Sequence, residues 1–138
     1  MHPMPLIYVA TPYADTTPAG IQRNIRFAEM VCLLVAQAAG APYAPHLLLT
    51  RFLHDAIPEQ RDLGIQAGLR TMEGADAFLA ALPPWRTALS RGMTAEHESA
   101  QRLDIPCYLC LQPSDLDAFL EKLRAGRVVR RAPSAHAP

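Results

Sequence analysis

Three cysteines in 138 residues are too few for a disulfide framework, and the close pair, Cys107 and Cys110 in IPCYLCL, falls in a predicted strand. Side chains alternate along a strand, so a separation of three sends the two thiols to opposite faces and argues against a two-thiolate metal or redox site. Cys32 falls on the apolar stripe of a predicted helix, and all three read as small core hydrophobes. The histidines are no more suggestive. His2, His46, His54, His97 and His136 have no HxxxH or HExxH spacing and no pairing with carboxylates or thiolates, so no metal is expected. The chain also lacks a P-loop and a GxGxxG, and no cofactor is expected.

An excess charge of one sign is missing too. Thirteen basic residues balance thirteen acidic ones and charged residues make up only 19% of the chain, so no global field points to nucleic acid. A basic cluster, Arg127, Arg130 and Arg131, leads into APSAHAP and reads as a solvated tail. No apolar run approaches the ~18 residues of a membrane span. The opening MHPMPLIYVATPYA has neither a basic leader region nor a small-residue cleavage site, so a cytoplasmic protein without a membrane partner is expected.

What is present is a core. Half the residues are apolar, enough for one domain over residues 1–126, followed by the basic, Pro/Ala-containing tail 127–138. PLIYVAT reads as a buried first strand. Thr17 and Pro18 open a helix in which Ile21, Ile25, Ala28, Cys32, Val35 and Ala39 keep a three-four spacing until Gly40 stops it. APYAPHLLL supplies a second strand, brief or near an edge because of its prolines. A helix resumes after Pro58, DAFLAAL is a third strand, IPCYLCL a fourth, and a last helix spans residues 114–123, capped by Ser114 and stopped near Gly126. Strands alternating with helices predict a three-layer α/β sandwich on a four- or five-stranded parallel sheet, flavodoxin- or Rossmann-like. Ligands of such folds collect where the strands end, here at residues 11–17, at His46 and at residues 90–92.

The stretch SRGMTAEHESA, residues 90–100, opens a helix on Ser90 and Gly92. At about 100° per residue Glu96 falls within about 60° of Met93, Ser99, Ala100 and Leu103, the apolar side, whereas Glu98 projects with Thr94, His97 and Gln101 toward water. A carboxylate facing the core must be paired, protonated or used, because uncompensated desolvation costs several kcal/mol. Two readings follow. Glu96 is either a core carboxylate satisfied by Tyr8 or backbone donors, or an ionised nucleophile beside a helix N-terminus whose free N–H groups at Ser90 and Gly92 hold an anion such as a phosphate.

The pairing of IYVATPYA with S-x-G-x-x-x-E resembles the nucleoside 2-deoxyribosyltransferase superfamily, closest to its deoxynucleoside monophosphate N-glycosidases, over most of residues 5–111. The resemblance implies that Glu96 attacks the anomeric carbon and Tyr8 orients it. It places Thr11, Pro12, Tyr13, Ser90, Gly92 and Met93 around sugar and phosphate, and His46 near the base. Serine at position 90, where transferases acting on free nucleosides tend to carry aspartate, implies a nucleoside 5′-monophosphate cleaved by hydrolysis. The alternatives are deoxyribosyl transfer and nucleotide binding without turnover. One departure stands out: the family aspartate that assists the leaving base is replaced by Gly68, with Asp62, or Glu59, as a possible substitute on the same helix. The implied partner is a small-molecule nucleotide or nucleoside, and the implied assembly a homodimer or higher homo-oligomer.

Overall fold

A computed structural model describes residues 3–132; His2, His136 and the rest of residues 133–138 lie outside the described residues. Four strands, β1 (Leu6–Ala10), β2 (Ala41–Tyr43), β3 (Ala77–Ala81) and β4 (Cys107–Cys110), form one parallel sheet in the order β2-β1-β3-β4. Five α-helices accompany them: α1 (Pro18–Gln37), α2 (Pro45–Leu48), α3 (Pro58–Met72), α4 (Arg91–Arg102) and α5 (Pro113–Arg124). The chain passes from β1 outward to β2, then back across β1 to β3. A crossover of one hand must change faces when its direction reverses, and the core divides accordingly. Ile7, Val9 and Leu79 pack against Phe27, Val31 and Val35 of α1 and Phe119, Leu120 and Leu123 of α5. Tyr8, Ala10 and Phe78 pack on the other face against Met72 of α3 and Met93 and Ala100 of α4. Cys110 joins the first cluster and Cys107 the second, the opposite-face arrangement their spacing predicts.

Thr17 caps α1, accepting from the Gly20 N–H at 3.0 Å, with Pro18 following. The buried stripe of α1 is rotated from the expected one. Asn24, Phe27, Ala28, Val31 and Val35 are buried, while Ile21, Ile25 and Cys32 flank them half-buried. The helix ends before Gly40, and it is Ala39 that takes the left-handed conformation, at φ 68°. Gly40 is needed for a different reason: a Cβ there would lie 2.9 Å from both Leu123 and Val35.

The second strand is corrected most. Only Ala41–Tyr43 pair with β1; Pro45 then starts the short helix α2, so His46 sits on a helix rather than closing a strand. Proline lacks the N–H a ladder requires and is pre-set for a helix's first turn, so Pro45 ends one element and opens the next. Helix α5 is capped by Asp115, whose carboxylate accepts from the Leu111 and Gln112 N–H groups, with Pro113 first, rather than by Ser114. Gly126, at φ 71°, follows its end.

The segment after α5 is not simply solvated. Val128 is buried in the first core cluster. Asp76, at the start of β3, accepts the Leu6 N–H through one oxygen and the Arg131 N–H through the other, both at 2.7 Å, while the Arg131 guanidinium donates to the carbonyls of Glu73, Leu103 and Asp104. One carboxylate thus ties the start of β1 and the C-terminal segment to the base of the sheet, at the end opposite the loop that leads into α4. Hydrogen bonds to a charged acceptor contribute about 1.5–3 kcal/mol each. Asp76→Ala, which strands two amides, should therefore lower unfolding stability by about 2–4 kcal/mol, read as a lower urea midpoint with an unchanged slope.

Candidate active site

At the carboxyl end of the sheet β1 and β3 lie side by side, and the connections leaving them diverge to opposite faces, the place where folds of this kind bind ligands. Tyr8, paired with Tyr43 on one side and Phe78 on the other, turns its ring to the α3/α4 face. Its ring centroid is 5.7 Å from that of Phe78 and 6.2 Å from that of Tyr43. Packing on both sides fixes the ring and aims its hydroxyl at α4. There the Tyr8 hydroxyl donates a 2.5 Å hydrogen bond to Oε2 of Glu96.

Glu96 is half-buried on the core side of α4, with Met93, Ser99 and Ala100 buried as the helical spacing requires and Glu98 exposed. Burial pushes its carboxyl from 4.5 up to about 7, opposed by the hydrogen bond from Tyr8. Burial, together with the charge and hydrogen bond of Glu96, pushes the Tyr8 hydroxyl far above its usual range, so it stays protonated and acts as a donor. Oε1 of Glu96 has no hydrogen-bond partner among the described residues, yet it is not one of the buried polar atoms left unpartnered. It therefore touches solvent, and Glu96 presents one tethered and one free oxygen.

Ser90 caps α4, its Oγ accepting from the Met93 N–H at 3.2 Å. The N–H groups of Arg91 and Gly92, the first two of the helix, have no backbone partner among the described residues. Nothing lies within 4 Å of a Cβ built on Gly92, so an anion can approach the positive end of the helix there. Met93 itself is 1% exposed and its side chain belongs to the core beside Tyr8.

The remaining predicted residues form a second group. Thr11 and Pro12 are buried where β1 ends, and the Thr11 hydroxyl is buried without a hydrogen-bond partner among the described residues. The Tyr13 ring lies 5.1 Å from that of His46, and the two border a small cavity against α1, where Asn24 donates to the Tyr13 carbonyl. Burial lowers the pKa of His46, partly offset by Asp55, which favours a neutral ring. A second concavity runs along β4 and α5; Glu96 lines neither of these two.

Gly68 is buried, and a Cβ placed on it would lie 3.4 Å from the Tyr8 hydroxyl and 3.8 Å from Pro45. Bare α3 backbone therefore covers the Tyr8–Glu96 pair where a side chain could have been. Asp62 is exposed, about 120° around α3 from Gly68, and makes no hydrogen bond to Tyr8 or Glu96. Glu59 is also exposed.

Three residues near the pair escaped the sequence. Tyr43 and Phe78 flank Tyr8 because strand pairing puts all three in one row, a signal visible only once the register is known. His97, expected to face water, instead stacks on Phe78 with ring centroids 5.9 Å apart. Helix α4 lies low enough on the sheet for residues on both sides of its stripe to touch it.

Residues 5–110 match the model of a family described as a domain of unknown function, DUF7768. The chain belongs to that family. A search of curated proteins finds no match to this DUF7768 chain. Among solved structures it is similar to the 2-deoxyribosyltransferase from the psychrotolerant bacterium Bacillus psychrosaccharolyticus, at 17% identity and a TM-score of 0.55, over 75% of this chain and 70% of that chain. At that identity the likeness establishes the fold, a parallel α/β sandwich with four strands here.

Proposed function

We propose that this protein cleaves the base–sugar bond of a nucleoside or deoxynucleoside 5′-monophosphate, with Glu96 as nucleophile. The observation that carries the proposal is the 2.5 Å tether between Tyr8 and one oxygen of a half-buried carboxylate, on the α3/α4 face of the sheet, whose other oxygen is free. That free oxygen, Oε1, attacks C1′ opposite the base; the C1′–N bond breaks, its electron pair leaves with the base, and the base nitrogen takes a proton. Water then attacks C1′, loses a proton, and returns the electron pair to Glu96 as the sugar phosphate departs. Tyr8 holds the nucleophile in one orientation and, as a donor, offsets part of its desolvation. Ser90 and the free N–H groups of Arg91 and Gly92 receive the 5′-phosphate, while Thr11, Pro12, Tyr13 and His46 border sugar and base. Asp62 lacks reach to the pair within one chain, and in this reading solvent protonates the base.

Contact of Oε1 with solvent favours hydrolysis. Transfer of the sugar to a second base is the other reading, supported by the fold shared with a protein named as a 2-deoxyribosyltransferase. The test incubates the pure protein with ribo- and deoxyribonucleoside monophosphates, with and without a second free base, and follows free base and exchanged nucleotide by chromatography. Release of base without exchange supports hydrolysis; exchange supports transfer; neither product from any substrate refutes both.

Tyr8→Phe separates positioning from packing, because the ring stays and only the hydroxyl goes. We expect a 10- to 100-fold slower release of base, of the order seen when a positioned hydrogen-bonding group is lost. The pH midpoint of the rate should also move upward, since the lost hydrogen bond is the one that lowers the Glu96 pKa. An unchanged midpoint would deny Tyr8 that role.

A further inference from the structure

We infer that Trp85, Arg23 and Arg86 form a second subsite for a phosphate and an aromatic base beyond the 5′-phosphate. The preferred substrate is then a dinucleotide joined by a 5′–5′ diphosphate bridge. The inference rests on the proposed function for the place of the first phosphate, and on separate residues for the rest.

Trp85 is the single tryptophan of the chain. It follows Pro83 and Pro84 in the connection from β3 to α4, in a turn closed by the Arg86 N–H donating to the Pro83 carbonyl at 3.0 Å. Proline fixes its own φ, so the turn has little freedom left to lose on binding. The indole is 54% exposed, yet it is braced. The buried Phe27 ring of α1 meets it in a T-shaped contact with centroids 6.3 Å apart, and the Arg23 guanidinium stands 5.9 Å from its centroid. An indole held rigid, open to water and beside a cation suits stacking by a nucleobase.

Arg86 donates through Nη2 to the Ala14 carbonyl at 3.4 Å, so the β3–α4 connection meets the β1–α1 connection. Hydrogen bonds from Thr17 hold the Asp15 carboxyl below its usual range, and the charges of Arg23 and Arg86 act in the same direction. Both guanidiniums therefore stand around one exposed carboxylate, and two cations against one anion leave positive charge beside the indole. Arg86 precedes Ser90 by four residues, which chain length keeps within about 14 Å. Phe27 belongs to the α1/α5 core cluster, whereas Met93 belongs to the α3/α4 cluster. From one face to the other the order is thus Trp85 with Arg23, then Arg86, then the first N–H groups of α4, with Glu96 about a turn further along that helix. In a nucleotide C1′ and the 5′-phosphate lie on opposite sides of the ring oxygen. With C1′ at Glu96 and the 5′-phosphate at the start of α4, whatever follows that phosphate points toward the arginines and the indole. A second phosphate meets Arg86 and Arg23, and a second base stacks on Trp85. A single phosphodiester would supply only one of the two anions, which favours the diphosphate bridge.

Fluorescence of the single tryptophan reports this subsite without turnover. The full chain is titrated with a nucleoside monophosphate, the diphosphate and the symmetric dinucleoside diphosphate, in an adenine and a uracil series. In at least one series the dinucleotide should quench the indole and bind about 10-fold or more tightly than the monophosphate. By calorimetry, Trp85→Ala and the double variant Arg23→Gln/Arg86→Gln should erase that preference and Trp85→Phe should keep most of it, while circular dichroism reports the fold of each. Quenching by a dinucleotide with no base released from any compound would uphold the subsite and overturn the glycosidase reading. Base released from monophosphates without quenching by either dinucleotide would uphold that reading and overturn the subsite. A preference that Trp85→Ala and the double arginine variant, both folded, leave intact also overturns the inference.

Discussion

Glu96→Gln is expected to abolish base release, lowering the rate by on the order of 10³-fold or more. An amide of the same shape keeps the hydrogen bond from Tyr8 but cannot form the bond to C1′. The loss should appear in kcat while substrate affinity changes little, because the proposed phosphate contacts at Ser90 and Gly92 are untouched. Binding can be followed by the thermal shift that a nucleoside monophosphate produces. A Glu96→Gln protein that still releases base at the parent rate would remove this side chain from the chemistry. Nucleotide binding by parent and variant with no turnover by either would make the protein a binder.

The same substitution should stabilise the fold, and the effect should depend on pH. Glu96 titrates near 4.5 in an unfolded chain and at about 7 in the folded one, because burial disfavours its charge. The folded state therefore binds the proton more tightly than the unfolded state. Its stability falls as pH rises from about 4.5 to about 7, and the full loss is present above that. A change of that size corresponds to ~3 kcal/mol. At pH 4 the carboxyl is protonated and Glu96→Gln should melt with the parent; at pH 8 the variant should melt on the order of 10 °C higher. The parent's rate of base release should rise over the same interval, since only the ionised carboxylate attacks. Equal melting temperatures at pH 8 would mean that Glu96 is not held in the buried, desolvated setting on which its reactivity depends.

Much of this arrangement was written in local patterns. Glu96 could be singled out because one helical turn places it among Met93, Ser99 and Ala100, and those residues are buried. Thr17 and Pro18 marked the start of α1 because capping is decided within four residues. The alternation of strands and helices was enough for a parallel sheet. What escaped depends on contacts between distant parts of the chain. APYAPHLLL is apolar except for His46, and apolarity alone does not distinguish a buried strand from a buried helix; the choice falls at Pro45, where β1 no longer offers a partner. Arg131 meets Asp76 across 55 residues and carries no local sign of doing so. His97 looked solvent-facing by angle because its angle was judged without knowing how closely α4 approaches Phe78. Gly68 was visible as a departure from a resemblance, but only the fold places it directly over the Tyr8 hydroxyl.

The most direct measurement is mass spectrometry of the peptide containing Glu96 from protein quenched in acid while it turns over a nucleoside monophosphate. The proposal predicts a mass increase equal to one pentose phosphate, less water, located on Glu96 and absent from the Glu96→Gln protein. Free base accumulating with no such adduct, or with the adduct on another residue, would contradict it.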